Sequence, residues 1–187
     1  MKITLIAAVA KNNVIGLLGA TPWHIPSDLK FFRQYTIGKV LIAGRKTAAA
    51  MGPLSDRTMI VVSKTANLHH RRGDRLLVQT CTTLNEAFGV AETIGELTHR
   101  KDRDAFELIV VGGAEIYRQL MPVAHRLVIT HVDLEPEGDA HFPEIDPMVW
   151  HEATPTIGVN EEASTSKIPY RVAFYQRTNA AGLLGGE

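Results

Sequence analysis

Apolar residues in this chain fall in short unbroken runs, at 3–10, 40–43, 59–62, 76–78, 108–111 and 127–130. The runs are rich in β-formers and continuous rather than alternating, the pattern of strands covered on both faces. Between them lie stretches with helical spacing. Residues 27–35 follow Pro26, 83–94 follow a cluster of threonines, and 114–121 stop before Pro122. Strands alternating with helices predict an α/β fold with a largely parallel sheet. Residues 150–157 and 170–176 read as closing strands, and the polar stretch 95–104 as a surface connection. With no repeat, linker or second domain in view, one domain is expected over 1–177. The small, Gly-rich segment 178–187 is expected to be a flexible tail.

Composition narrows the function without naming it. A chain of 187 residues, 45% apolar and 21% charged, has the make-up of an ordinary globular domain with a sizeable core. Twenty basic residues balance twenty acidic ones, so no net field recruits nucleic acid or an anionic membrane. The single cysteine excludes an intramolecular disulfide and suits a reducing cytoplasm. Cys81 lies among Thr80, Thr82 and Thr83 with no nearby histidine, and reads as a small half-buried hydrophobe. The N-terminal run ends in Ala-Val-Ala, which imitates a signal peptide. It spans only residues 3–10 behind one lysine, whereas such signals run ~15–30 residues. A buried first strand accounts for it better. No run reaches the ~18–20 apolar residues of a membrane span, so a soluble, cytoplasmic protein is expected.

Three tempting signals fail. Gly44-Arg45-Lys46-Thr47 resembles the end of a P-loop, but Arg45 separates the glycine from the lysine and the upstream glycine is replaced by Lys39. Gly112-Gly113-Ala114 follows a strand and opens a helix, the right setting for a pyrophosphate, yet the full dinucleotide fingerprint is absent. A glycine pair there is equally ordinary turn chemistry. His69 and His70 are adjacent, and His125, His131 and His141 show no i, i+4 ligand spacing. No metal is expected.

The informative stretch is Val14-Ile15-Gly16 followed by the run from Pro22-Trp23-His24 through Pro26-Ser27-Asp28-Leu29-Lys30-Phe31-Phe32. Pro26 suits a first helical position. Asp28 then falls in the first turn, and Phe32, four residues on, shares its face. A carboxylate beside a large aromatic is what a cationic or amidine-like heterocycle requires, the acid pairing with its polar edge and the ring packing its face. The plainer reading is an aspartate stabilising the helix dipole, with Trp23 as core.

The order of several segments goes further. Pro22-Trp23 with Asp28 five residues beyond the tryptophan, Gly44-Arg45-Lys46-Thr47, and Leu54 with Arg57 come first. Val111-Gly112-Gly113-Ala114-Glu115-Ile116-Tyr117 and Glu137-Gly138-Asp139-Ala140-His141-Phe142-Pro143 follow. Together they resemble bacterial dihydrofolate reductases from about residue 3 to 176. The resemblance implies a single α/β domain, a mostly parallel central sheet flanked by helices, with an antiparallel C-terminal strand. It also implies NADPH-dependent reduction of dihydrofolate by a monomer. On the substrate side, the pterin would lie over Ile6 and Ala7. Asp28, with Trp23 and Thr130, would form the catalytic group, Phe32, Met51 and Leu54 the apolar walls, and Arg57 the clamp on the glutamate tail. On the cofactor side, Ala8 and Ile15 would hold the nicotinamide carboxamide, and the loop from Gly16 to Ala20 would close over it. Arg45, Ser63 and Lys64 would surround the 2′-phosphate. Lys46, Thr47, Gly112 and the helix start through Gly113, Ala114, Glu115 and Ile116 would receive the pyrophosphate, with Tyr117 near the nicotinamide.

The chain departs from the family pattern in places. Thr21 replaces a larger apolar residue, Ala48-Ala49-Ala50 stand where an aromatic is common, and one residue is missing between Gly52 and Pro53. Glu115 occupies a position where some members carry arginine, for which Lys64 would compensate. The altered loop and shortened segment predict weakened binding of diaminopyrimidines such as trimethoprim. Rival readings are a related pterin or pyrimidine reductase and a non-catalytic folate- or nucleotide-binding protein.

Overall fold

The apolar runs become the middle of one sheet. In a computed structural model, which describes residues 1–52, 54–65, 69–72, 75–99, 102, 105–157 and 168–178, β1 (Lys2–Ala10) is an interior strand of a nine-stranded sheet. On one side of it run β7 (Glu107–Val110), β3 (Val40–Gly44), β4 (Thr58–Val62), β6 (Arg75–Cys81) and β5 (His69–Arg72); on the other run β8 (Arg126–Val132), β11 (Tyr170–Arg177) and β10 (Trp150–Ile157). Strands β8, β1, β7, β3, β4 and β6 are mutually parallel. The C-terminal β11 runs antiparallel to β8, and β10 to β11. The expected mostly parallel sheet with an antiparallel C-terminal strand is therefore the fold observed.

Continuity of the runs now has a geometric meaning. Alternate residues point to opposite faces, so Leu5, Ile42, Leu108 and Ile129 enter one core while Ile6, Leu41, Ile109 and Val128 enter the other. Helices α3 (Leu84–Thr98) and α4 (Ala114–Leu120) supply Ala87, Ala91, Ile116 and Leu120 to the first core. Helices α1 (Pro26–Thr36) and α2 (Arg45–Met51) supply Phe31, Phe32, Tyr35, Ala48 and Met51 to the second, joined by Ile25 just before α1. Pro26 is the first residue of α1, as its fixed φ favours. Thr83 caps α3 by accepting from the Glu86 backbone N–H at 3.1 Å, while the Glu86 carboxylate reaches back to the Thr82 N–H at 2.7 Å.

Several elements escape the hydrophobic pattern. Helix α2 reads Arg-Lys-Thr-Ala-Ala-Ala-Met and has too few large apolar residues to show a stripe, although its alanines favour helix. Strands β2 (Val14–Gly16) and β9 (Ala140–His141) are too short for a period and exist because they pair with each other. Edge strand β5 is polar. Helix α3 runs past residue 94 because Gly95, a breaker by propensity, is the point where the helix presses on Phe106; a Cβ there would lie 2.8 Å from its ring. The expected tail lies outside the described residues from 179 onward. Among the described residues no helix is long and apolar enough to cross a membrane.

Leu41 is fully buried between the sheet and the α1–α2 layer, whereas Leu97 on α3 is 62% exposed. Leu41→Ala should therefore lower unfolding free energy by about 2–5 kcal/mol. Leu97→Ala should change it by less than about 0.5 kcal/mol. Urea denaturation of both variants checks the contrast.

Candidate active site

Parallel strands leave their carboxyl ends open, and a ligand crevice forms where successive connections diverge to opposite faces. Here a cleft of about 960 Å³ crosses the sheet at that edge, lined by residues of β1, β3, β4, β8, α1, α2 and α4 and of the loop after β2. That volume is at the upper end for ligand sites, enough for an extended ligand or for two side by side.

One end is mostly apolar around a single acid. Ile6 and Ala7 form the floor, with Leu29, Phe31, Phe32 and Met51 on the walls. Asp28, in the first turn of α1, accepts a hydrogen bond from Thr130 Oγ1 at 2.6 Å. Register explains the meeting: Thr130 sits opposite Ala8 on neighbouring β8, between Val128 and Val132, whose side chains join the α1-side core. Burial raises the Asp28 pKa above the usual carboxylate value, and the Thr130 hydroxyl offsets only part of that. Among the described residues no charged side chain contributes to the shift.

The other end is cationic and built on two glycine-dependent crossings. Gly44 and Gly113 each precede a helix, α2 and α4, and neither helix has a side-chain cap. The Gly44 N–H donates to the Gly112 carbonyl at 2.7 Å, tying the ends of β3 and β7 together. A Cβ on Gly113 would stand 3.0 Å from Thr47 Oγ1, and one on Gly112 (φ 108°) 3.0 Å from the Tyr117 ring. Exposed Arg45, Lys46 and Lys64, with the hydroxyls of Thr47, Ser63 and Thr65, line this end. Glu115 does not repel an anion freely, because Arg118 Nη2 and Gln119 Nε2 both donate to its Oε1 at 2.6 Å. Tyr117 is buried, its hydroxyl donating to the Ile6 carbonyl at 2.6 Å, and burial pushes its pKa up.

A loop covers the middle. Leu17 and Ala20 exchange backbone hydrogen bonds, and Leu18 (φ 51°) and Gly19 (φ 86°) turn the chain between them. The Leu18 N–H donates to Asp139 Oδ2 at 3.1 Å, and the Asp139 N–H donates to the Gly16 carbonyl at 3.0 Å. Gly138 makes this approach possible, since a Cβ there would fall 2.3 Å from Val14 Cγ1.

The cleft gathers residues that the sequence scatters. Ile6, Ala7, Ala8, Ile15, Gly16, Ala20, Asp28, Phe32, Arg45, Lys46, Thr47, Met51, Ser63, Lys64, Thr130 and 113–117 all line it. Four expected residues do not. Trp23 and Leu54 pack against the α1-side core, and Gly112 is buried behind Gly113. Arg57 is 5% exposed, its Nε donating to the Ser55 carbonyl at 3.0 Å and its Nη1 to Thr36 Oγ1 at 3.2 Å. Leu29, Phe31, Thr65, Asp139 and Ala140 line the cleft without having been assigned a role from sequence. The Glu137–Pro143 motif was visible, but its pairing with β2 was not.

Fold and cleft together define an α/β protein with one crevice that joins a cationic end, built on two helix starts, to an apolar end around a single acid. The dihydrofolate reductase profile matches residues 2–177. The dihydrofolate reductase of Neisseria meningitidis serogroup B is 44% identical over 95% of this chain and 99% of its own, and that of Neisseria gonorrhoeae 41% over 94% and 98%. A solved dihydrofolate reductase from Enterococcus faecalis, complexed with NADP(H) and RAB-propyl, superposes with a TM-score of 0.72 at 29% identity, covering 95% of this chain and 97% of that one. This chain belongs to the dihydrofolate reductase family, NADPH-dependent oxidoreductases.

Asp28 carries a stability prediction. Its folded-state pKa is raised, so the folded protein binds this proton more tightly than the unfolded chain. Holding the carboxylate ionised costs nothing below the unfolded value of about 3.9 and the full penalty above the folded value. Asp28→Asn should therefore raise the melting temperature at pH 7, and the gap should close as pH falls toward that unfolded value. A calorimetric pH series showing a constant or inverted gap contradicts this.

Proposed function

We propose that this chain reduces 7,8-dihydrofolate to 5,6,7,8-tetrahydrofolate with NADPH, as a cytoplasmic monomer. The observation that carries the reading is the desolvated Asp28–Thr130 pair, set among apolar walls in the cleft whose other end bears Arg45, Lys46 and Lys64. That cationic end fits the cofactor. Arg45, Ser63 and Lys64 are assigned to its 2′-phosphate, and Lys46, Thr47 and the backbone of residues 113–116 to its pyrophosphate. When bound, NADPH supplies the hydride that reaches pterin C6.

The chain's own groups do the rest. Asp28 accepts from the pterin 2-amino group and the adjacent ring nitrogen, fixing which ring face meets the cofactor. Its negative charge, in a site shielded from water, favours the transition state in which positive charge grows on the ring. The proton that completes N5 comes from water, because Asp28 serves the far edge of the ring. Thr130 holds the carboxylate in place, Phe32 and Met51 exclude solvent, and the 16–20 loop covers the nicotinamide beside Ala8 and Ile15. Arg57 is assigned the glutamate α-carboxylate, which requires its buried guanidinium to be reached past α1.

Absorbance at the NADPH band, with and without dihydrofolate and with NADH in parallel, tests the activity. Dihydrofolate-dependent oxidation preferring NADPH supports both halves of the site, whereas NADPH binding without turnover supports a binding role. Asp28→Asn should lower turnover near neutral pH by orders of magnitude while NADPH affinity changes little.

We also propose that trimethoprim binds more weakly here than to sensitive bacterial enzymes. Thr21 places a small polar side chain at the cleft where the family pattern has a larger apolar one, and the Gly52–Pro53 segment is one residue short. Pro53 itself lies outside the described residues. An inhibition constant equal to that of a sensitive enzyme, measured side by side, defeats the proposal.

A further inference from the structure

A second polar cluster sits under α1, at the opposite edge of the sheet from the cleft. Thr4 on β1, Glu107 on β7 and Lys39 just before β3 lie on three adjacent strands, at positions in phase with Ile6, Ile109 and Leu41. They therefore face α1. Glu107 Oε1 accepts from Thr4 Oγ1 at 2.5 Å and from the Tyr35 hydroxyl at 3.2 Å, and Oε2 accepts from Lys39 Nζ at 2.6 Å. Lys39 Nζ also lies 3.8 Å from the centre of the Tyr35 ring. The Glu107 side chain is only 15% exposed. Burial alone would raise its pKa, but the hydrogen bonds from Lys39, Thr4 and Tyr35 hold it below the usual carboxylate value. The cluster is thus built around a fixed negative charge.

Tyr35 is two turns along the same helical stripe as Asp28, with Phe31 and Phe32 between them. Its ring centroid is 5.9 Å from that of Phe31, which lines the cleft, and both rings stand 6.5 Å from Phe174 on β11. Apolar packing along α1 is non-directional and does not by itself specify the orientation of a polar group on the helix. The polar ties are what set depth and register: Asp28 to Thr130 at the cleft end, and Tyr35 to Glu107 and Thr36 to Arg57 at the far end. The first turn has no side-chain cap to do this.

Resting on the reductase reading above, we infer that Tyr35 and Glu107, braced by Lys39, are positioning residues that set how α1 presents Asp28 to the pterin. Neither touches the cleft, and neither is a group the reaction itself uses. Tyr35→Phe keeps the ring contacts and deletes one hydroxyl. Glu107→Gln keeps the shape and deletes the charge.

The test compares these two variants with Ile42→Val, which perturbs the opposite core, at a temperature where all are folded by circular dichroism. Tyr35→Phe and Glu107→Gln should each lower kcat/KM for dihydrofolate by about three- to tenfold, the size of the net contribution of one typical hydrogen bond. KM for NADPH should stay within about twofold. The double variant should lose no more than the worse single one, because both act through one contact. In the ligand-free protein, carbon-13 titration of the Asp28 carboxyl should move toward the ordinary aspartate value as α1 loosens. Unchanged dihydrofolate kinetics with an unchanged Asp28 titration overturn the inference, as does an equal loss in Ile42→Val. A wild-type protein that does not turn over dihydrofolate overturns the reductase reading instead, and the carboxyl titration then decides the positioning role alone.

Discussion

A parallel sheet cannot leave a face in water, because its strands carry apolar side chains on both sides and its crossovers must pack somewhere. In this chain that constraint places α1 and α2 over Ile6, Leu41 and Ile109, and α3 and α4 over Leu5, Ile42 and Leu108. Two helical layers and one sheet leave the carboxyl edge uncovered where connections diverge, and the cleft occupies that edge. The site is thus a consequence of how the core is closed. Its edges stand at the places where the apolar pattern stops: Thr130 within β8, Gly44 at the end of β3, and Gly112 and Gly113 after β7.

Within this frame, α1 does two tasks that conflict energetically. It is an amphipathic helix whose aromatic side packs the core, and it carries Asp28 into a desolvated setting where an ionised carboxylate is disfavoured. In the proposed reaction the same desolvation would make the acid effective, since a charge screened by little water interacts strongly with a ring that becomes cationic. Stability is thus given up at the position to which the proposed reaction assigns the charge, a common arrangement in enzymes. The Thr130 hydroxyl at one end of the helix and the Glu107 cluster at the other hold that strained placement.

The cofactor half relies on different physics. Three exposed cations and three hydroxyls come from two short segments, 45–47 after β3 and 63–65 after β4, which the pairing of those two strands brings to one end. Close backbone approach between Gly44 and Gly112 brings the two helix starts together, where a Cβ at Gly112 would crowd the Tyr117 ring and one at Gly113 the Thr47 hydroxyl. Glu115, an apparent misfit among these cations, is absorbed by Arg118 and Gln119 on its own helix. The covering loop is held from a distant segment, through Asp139 and the space that Gly138 leaves beside Val14.

By itself the sequence determined the types of the longer elements, the parallel α/β class and the stripe that puts Asp28 and Phe32 on one face. These follow from local periodicity, from Pro26 and from the continuous runs, all properties of neighbouring residues. The resemblance of its ordered motifs also pointed to the family. Only the tertiary structure decided what depends on contacts between distant residues. It gave the Thr130–Asp28 pair, which the family resemblance had implied, its register across β8, and let burial outweigh that hydrogen bond in raising the acid's pKa. It gave Asp139 a loop to hold and created β2 and β9 as partners. It packed Trp23 and Leu54, both half-buried, against the α1-side core and buried Arg57, leaving all three outside the cleft lining. It also assembled Thr4, Tyr35, Lys39 and Glu107, four residues no local pattern unites, because adjacency across a parallel sheet is set by strand order and register, which short-range periodicity does not encode.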